Sequence, residues 1–300
     1  MVLHPTTEAA PFVRLEAARD AATFGAKAAS QAALAAEGLP VPAGVVITDR
    51  FRREFLTATG LDEHDAAGIR GTALPESLQG ALLDACRHLE GTLIVRSSGL
   101  GEDSADASFA GMLESIADVE GAHHLELALR QCWAARAAER VRAYEERRGR
   151  PLGGLAVLVQ RQIHAHFAGV LFTCDPSEPA AKRTLVEYVR GPGEDLVSGR
   201  ITPGRLSLDG AGVVTELQRL EGDVDPGPLL DARDKLARLA AQARRTGGSE
   251  QDVEWVLDED GELHVVQSRP ITAVACTRPK VAWTNANVDE NFPTPITPLQ

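Results

Sequence analysis

Apolar and polar positions change period near the middle of the chain. In the first half, AKAASQAALAAEG (26–38) is alanine-rich, which suits a helix, and Gly38 is placed to end it. Residues 12–25 read as a loop leading into that helix. LPVPAGVVIT (39–48) follows, two prolines and then a β-branched run that predicts a strand. GTLIVRSS (91–98) predicts a second strand, and GLGEDSADASFAG (99–111) a loop of small residues. Leu125, Ala128, Leu129, Cys132 and Trp133 recur at the spacing of one buried helical face, so the pattern predicts a helix over about 125–147.

The second half turns strand-like. AVLVQRQI (156–163), AGVLFT (168–173), TLVEYV (184–189), RLSLD (205–209) and VVTELQRL (213–220) are short apolar runs divided by turn residues. A helix is predicted over about 229–245, with Leu236, Leu239, Ala240 and Ala243 on one face and Gly247-Gly248 stopping it. DVEWVLD and ELHVVQSRP, joined through Glu259-Asp260-Gly261, predict a terminal hairpin. The expected fold class is α+β with two lobes: 1–155, 156–272, and a proline-rich linker or start of another domain over 273–300. A two-lobed chain has a natural cleft, where small ligands bind.

Composition narrows the function. A chain of 300 residues, 44% hydrophobic and 25% charged, can build a real core. No run of eighteen apolar residues and no signal-like start is present, and Cys86, Cys132, Cys174 and Cys276 form no metal or disulfide spacing. A reducing cytoplasm is the expected setting. A net charge of −12 disfavours a nucleic-acid partner. The basic stretch 136–150 is interleaved with Glu139, Glu145 and Glu146, as on a solvated helix face.

Three segments carry candidate chemistry. Phe24-Gly25-Ala26-Lys27 puts a glycine and a lysine at a helix start, where unpaired N–H groups favour an anion; a surface lysine is the plainer reading. Arg96 sits between an apolar strand and two serines, and its planar fork matches phosphate oxygens. The following loop, with Ser108 and Gly111, can cover a polyphosphate; an internal salt bridge for Arg96 is the competing reading. On the hairpin, Asp252 and Glu254 share one strand face, as do Gln267 and Arg269. A symmetrical turn over 258–261 would set Asp252 opposite Gln267. Two carboxylates suit Mg²⁺ and an arginine suits a phosphoryl group in transit, although a polar face with a cross-strand salt bridge is simpler from spacing alone. Gln160-Arg161-Gln162-Ile163 ends a strand that could join the lobes and offer backbone to an adenine edge. Glu187 and the turn through Ser198 could take a ribose hydroxyl.

The order of these pieces is more specific than any one. GAKAAS, LPVPAGVVIT, VRSSGLGEDSADASFAGMLES, VLVQRQIHAHFAGVLFTCDP, EYVRGPGEDLVSGRITP and QDVEWVLDEDGELHVVQSRPIT together resemble the nucleotide-binding domain of the phosphoenolpyruvate synthase and pyruvate phosphate dikinase family. The likeness runs from about Phe24 to Thr272 and is closer to phosphoenolpyruvate synthase and rifampicin phosphotransferase than to the dikinase proper. It implies an ATP-grasp-type fold, ATP with magnesium, and transfer of the β-phosphoryl group to a histidine on a mobile domain, with AMP and phosphate released.

Carried over by position, the resemblance gives Lys27 and Arg96 to the phosphates, under a loop through Ser108, Gly111 and Met112. Gln160, Gln162 and Ile163 would meet the adenine, and Glu187 and Ser198 the ribose. Glu254 and Gln267, supported by Asp252, would serve the metal, and Arg269 would brace the transferring group. The family's Gly-Gly-Lys-Gly is here Gly25-Ala26-Lys27-Ala28, whose two methyl groups narrow the approach to phosphate. None of the eight histidines stands in the phosphocarrier's Gly-Gly…Thr-x-His setting. The phosphohistidine and acceptor-binding domains are therefore expected elsewhere, in the same full-length chain or a separate subunit. An ATP-grasp ligase that forms an acyl phosphate and releases ADP, or a non-catalytic nucleotide-binding module, are the alternatives.

Overall fold

A computed structural model describes residues 9–100, 114–139, 141, 143, 146, 153–193, 196, 200–220 and 224–271. Two antiparallel sheets organise them. The first contains β1 (Phe12–Arg14), β2 (Gly44–Ile47), β3 (Leu93–Gly99), β4 (Ser115–Val119) and β5 (Leu155–Arg161), in the order β1-β2-β5-β3-β4. The second contains β6 (Phe167–Phe172), β7 (Thr184–Arg190), β8 (Gly204–Leu208), β9 (Val214–Gln218), β10 (Gln251–Leu257) and β11 (Leu263–Pro270), in the order β11-β10-β6-β7-β8-β9. The α+β, two-lobed architecture expected from the pattern is present.

The first sheet is covered on both faces, which is why β2 and most of β5 read as unbroken apolar runs. On one side Val45, Ile47, Val157 and Val159 pack with Phe51 and Phe55 of α3 (Asp49–Thr59) and Trp133 of α6 (Gly121–Arg136). On the other, Val46, Ala156 and Leu158 meet Ala28 and Ala32 of α2 (Ala26–Ala36), which follows the single-turn α1 (Ala21–Phe24). Alanine at the contact lets the helix lie close to the sheet. Farther along α2, Leu34 enters the core of the second lobe, so this helix spans both.

The second sheet is covered mainly on one face. Trp255, Val253, Leu171, Val186 and Leu206 pack under Leu236, Leu239, Ala240 and Ala243 of α8 (Arg233–Gly247), which follows α7 (Gly227–Asp231). The strict in-out alternation of β10 records this asymmetry. Gly248 closes α8 in the left-handed conformation, as the Gly247-Gly248 pair predicts.

Several expectations need correction. Strand β5, expected in the second lobe, is the central strand of the first sheet, so the sheets divide after Arg161 and not at 155. Its partners β2 and β3 are distant in sequence and leave no local signal. Residues 12–14 form an edge strand paired with β2 where a loop was expected. Helix α6 runs Gly121–Arg136, beginning earlier than the predicted 125. The predicted helix at 229–245 is broken at Ala232 into α7 and α8. Helices α3, α4 (Ala66–Gly71) and α5 (Glu76–Cys86) fill a region for which the pattern suggested no element. Residues 273–300, Cys276 among them, lie outside the described residues. No helix among the described residues is long and apolar enough to cross a membrane.

Candidate functional site at the junction of the two sheets

The terminal hairpin sets the geometry. Asp258 N–H donates to Glu262 O at 3.0 Å, Gly261 N–H to Asp258 O at 3.1 Å, and Gly261 takes a φ of 76°. Leu257 therefore pairs with Leu263, and Trp255 with Val265. A β-bulge at Val266 then shifts the register, so Glu254 faces Gln267 and Asp252 faces Arg269. The expected pairing of Asp252 with Gln267 is wrong by two residues, one from the longer turn and one from the bulge. The consequence is favourable: the bulge keeps Val265 in the core while turning Gln267 onto the same face as Glu254.

That face carries a polar row. Directly paired residues share a face, and Gln267, Glu254, Val170, Glu187 and Arg205 are paired in succession across β11, β10, β6, β7 and β8. Glu254 and Glu187 thus flank Val170, two strand spacings or about 10 Å apart. Asp252 and Arg269 lie one step along, joined by two 2.8 Å contacts from Arg269 Nε and Nη2 to Asp252 Oδ2.

The first lobe delivers Arg96 to this row. Arg96 on β3 is buried; its Nη1 donates to Val266 O at 2.9 Å and its Nη2 to Gln267 Oε1 at 3.3 Å, with Glu254 Oε2 at 3.8 Å. Burial pulls the Arg96 pKa below its ordinary value, and the Glu254 carboxylate opposes that shift. Lys27, half-buried in the first turn of α2, donates from Nζ to Ser97 O at 3.0 Å, the residue next to Arg96. The turn before α2 is clamped to β3: Ser98 Oγ accepts from Ala28 N–H at 3.2 Å and donates to Phe24 O at 3.0 Å. Gly25 there has a φ of 78°, and a Cβ would stand 2.3 Å from Ser98 Oγ, so only glycine fits. Cys132, beside Ser97, is fully buried, and burial pushes its thiol up to about 12, which makes it a core group and not a nucleophile.

The structure therefore brings Arg96 together with Glu254 and Gln267, with Asp252 and Arg269 beside them, Glu187 across Val170, and Lys27 bound to the carbonyl next to Arg96. The plainer readings also hold in part: Arg96 has an internal acidic neighbour, and Arg269 with Asp252 makes a cross-strand ion pair. Glu187 is bound by Arg205, with Nε at 3.0 Å and Nη2 at 2.9 Å from Oε1. The adenine candidates divide differently. The Gln160 side chain is buried, its Nε2 donating to Gln31 Oε1 at 2.7 Å and Pro42 O at 3.0 Å, which turns it away from any ligand. Gln162 is spent on Asp118, donating to Oδ1 at 2.8 Å and accepting from the N–H at 2.7 Å. Asp118 has a φ of 55°, a conformation this reciprocal pair helps to hold. Ile163 follows on the connection between the sheets. Ser108, Gly111, Met112 and Ser198 lie outside the described residues. Sequence reasoning missed Gln31, Asp118 and Arg205; a polar residue at 31 inside an alanine-rich helix was the one available signal.

Arg96 from the first sheet is thus set against a row on the second sheet that carries Glu254 and Glu187. Residues 21–221 match the model of the pyruvate phosphate dikinase AMP/ATP-binding domain, and the chain belongs to that family. It is 34% identical to the prodigiosin synthesizing transferase PigC of Serratia marcescens, over 84% of this chain and 32% of that protein. It is 30% identical to a probable phosphoenolpyruvate synthase of Methanothermobacter thermautotrophicus, over 85% of this chain and 45% of the relative. Against a rifampicin phosphotransferase of a Streptomyces species the identity is 32%, over 79% and 33% respectively. The chain thus spans less than half the length of these relatives, 32% to 45%.

Proposed function

We propose that this chain is the ATP-activating part of a dikinase-type phosphotransferase, built on an ATP-grasp-type arrangement of its two lobes. Mg·ATP binds between the sheets, and the β-phosphoryl group passes to a histidine on another domain or subunit. A histidine nitrogen bonds to the β-phosphorus as the bond from that phosphorus to the α–β bridging oxygen breaks, and AMP leaves with that oxygen; water takes the γ-phosphoryl group as inorganic phosphate. The phosphohistidine then phosphorylates a small-molecule acceptor. The observation that carries this reading is the meeting of Arg96 with Glu254 and Gln267 across the two sheets.

The roles follow from position and charge. Lys27 and Arg96 hold phosphate oxygens, and the loop through Ser108, Gly111 and Met112 covers them. The connection at Ile163 offers backbone to the adenine, while Glu187 and Ser198 serve the ribose. Arg269 stabilises charge on the transferring group. Among the described residues no three or more His, Cys, Asp or Glu side chains form a ready metal cluster. A magnesium ion that arrives with phosphates needs only one or two carboxylates, and the part-exposed Glu254 supplies one, with Gln267 and Asp252 beside it. These groups fit, and bound magnesium would supply neutralisation of phosphate charge.

Nucleotide product analysis tests the reaction. With a histidine-bearing partner domain present, ATP is expected to yield AMP and inorganic phosphate in equal amounts. ADP in place of AMP as the nucleotide product would replace this reading with acyl-phosphate ligation, and intact ATP with a binding-only module.

A further inference from the structure

The two lobes are joined through a buried polar chain that begins at Gln160. Its Nε2 donates to Gln31 Oε1 at 2.7 Å, and Gln31 Nε2 donates in turn to Val266 O. That carbonyl belongs to the bulged residue of β11, and it also accepts Arg96 Nη1 at 2.9 Å. Gln31 is 0% exposed and Gln160 is 2% exposed. A carboxamide is the neutral group that can accept at one end and donate at the other. Leucine or methionine would fill the same helical position without desolvating an amide, so a fully buried glutamine calls for a reason beyond packing.

We infer that Gln31 is a positioning residue for Arg96. A bulge leaves its extra peptide outside the regular ladder, free to rotate. Gln31 holds that peptide from a rigid helix, so Val266 O always meets the Arg96 fork at one place. The tether fixes which guanidinium donors remain for phosphate. Without it, the fork must be ordered each time a triphosphate binds. This inference rests on the phosphate role given to Arg96 above.

The test compares Mg·ATP with AMP, by titration calorimetry on the whole chain. Gln31→Met keeps length and volume but removes the amide. It is expected to weaken Mg·ATP about tenfold, the scale of one buried hydrogen bond, and AMP less than about twofold. Ser30→Ala is the control: it removes a neighbouring inter-lobe bond, Ser30 Oγ to Ser268 O at 2.7 Å, and should leave the ratio of the two affinities unchanged. If Gln31→Met does not fold, Gln160→Met removes the bond that orients the Gln31 amide while leaving Gln31 itself in place, and should show a smaller loss of the same selectivity. Equal losses for both nucleotides, no loss, or a Ser30→Ala effect of the same selectivity would overturn the inference alone. A wild-type chain that binds no Mg·ATP would instead bring down the functional reading and this inference with it.

Discussion

Arg96→Met is expected to weaken Mg·ATP binding by about a hundredfold, because it removes a planar, charged donor set aimed at phosphate. The same change should cost about 2 kcal/mol of stability, since Gln267 Oε1 loses a partner and Glu254 loses its nearest cation. Val266 O keeps the Gln31 amide, so the bulge should survive. Arg96→Lys restores the charge but not the fork, and should recover little affinity. Calorimetry and a thermal melt read the two effects separately. A destabilised variant that binds Mg·ATP like wild type would make Arg96 an inter-lobe pin and nothing more.

Arg269→Ala should divide the effects in the opposite way. The side chain is 56% exposed and its ion pair with Asp252 lies near the end of the hairpin, so stability should change by less than about 1 kcal/mol. Binding of Mg·ATP should change little. Phosphoryl transfer to a partner histidine should fall about a thousandfold, because an arginine acting on charge in transit contributes at the transition state and not in the ground state. Single-turnover transfer with a complete partner measures this. Unchanged turnover would refute the role and leave Arg269 as the salt-bridged surface residue that spacing alone suggested.

What could be read from the sequence, and what could not, follows from locality. The alternation in β10 and the apolar run of β5 are local consequences of one-sided and two-sided cover, so both strands were legible. That β5 belongs to the first sheet depends on pairing with β2 and β3, which are remote in the chain. The hairpin was legible, but its register was not: one residue hides in the turn that Gly261 closes and one in the bulge at Val266. Helix α3 carries a signal in Phe51, Phe55 and Leu56, but its polar face dominates the segment and masks the period. Lys27, Arg96, Glu254 and Gln267 were legible as a set only through their order along a recognisable family pattern. Gln31 was not, because a buried amide and a surface amide look alike until the opposite lobe is in place. The same holds for the Gln160 side chain, which is bound to Gln31 and Pro42 and leaves only the backbone of that segment to offer to an adenine edge.

The most direct test is a crystal structure with a non-hydrolysable ATP analogue and Mn²⁺, using the anomalous signal of manganese. One manganese peak is expected beside Glu254, with the triphosphate in reach of both Lys27 and Arg96. A peak remote from Glu254, or a triphosphate touching only one of the two lobes, would contradict that expectation.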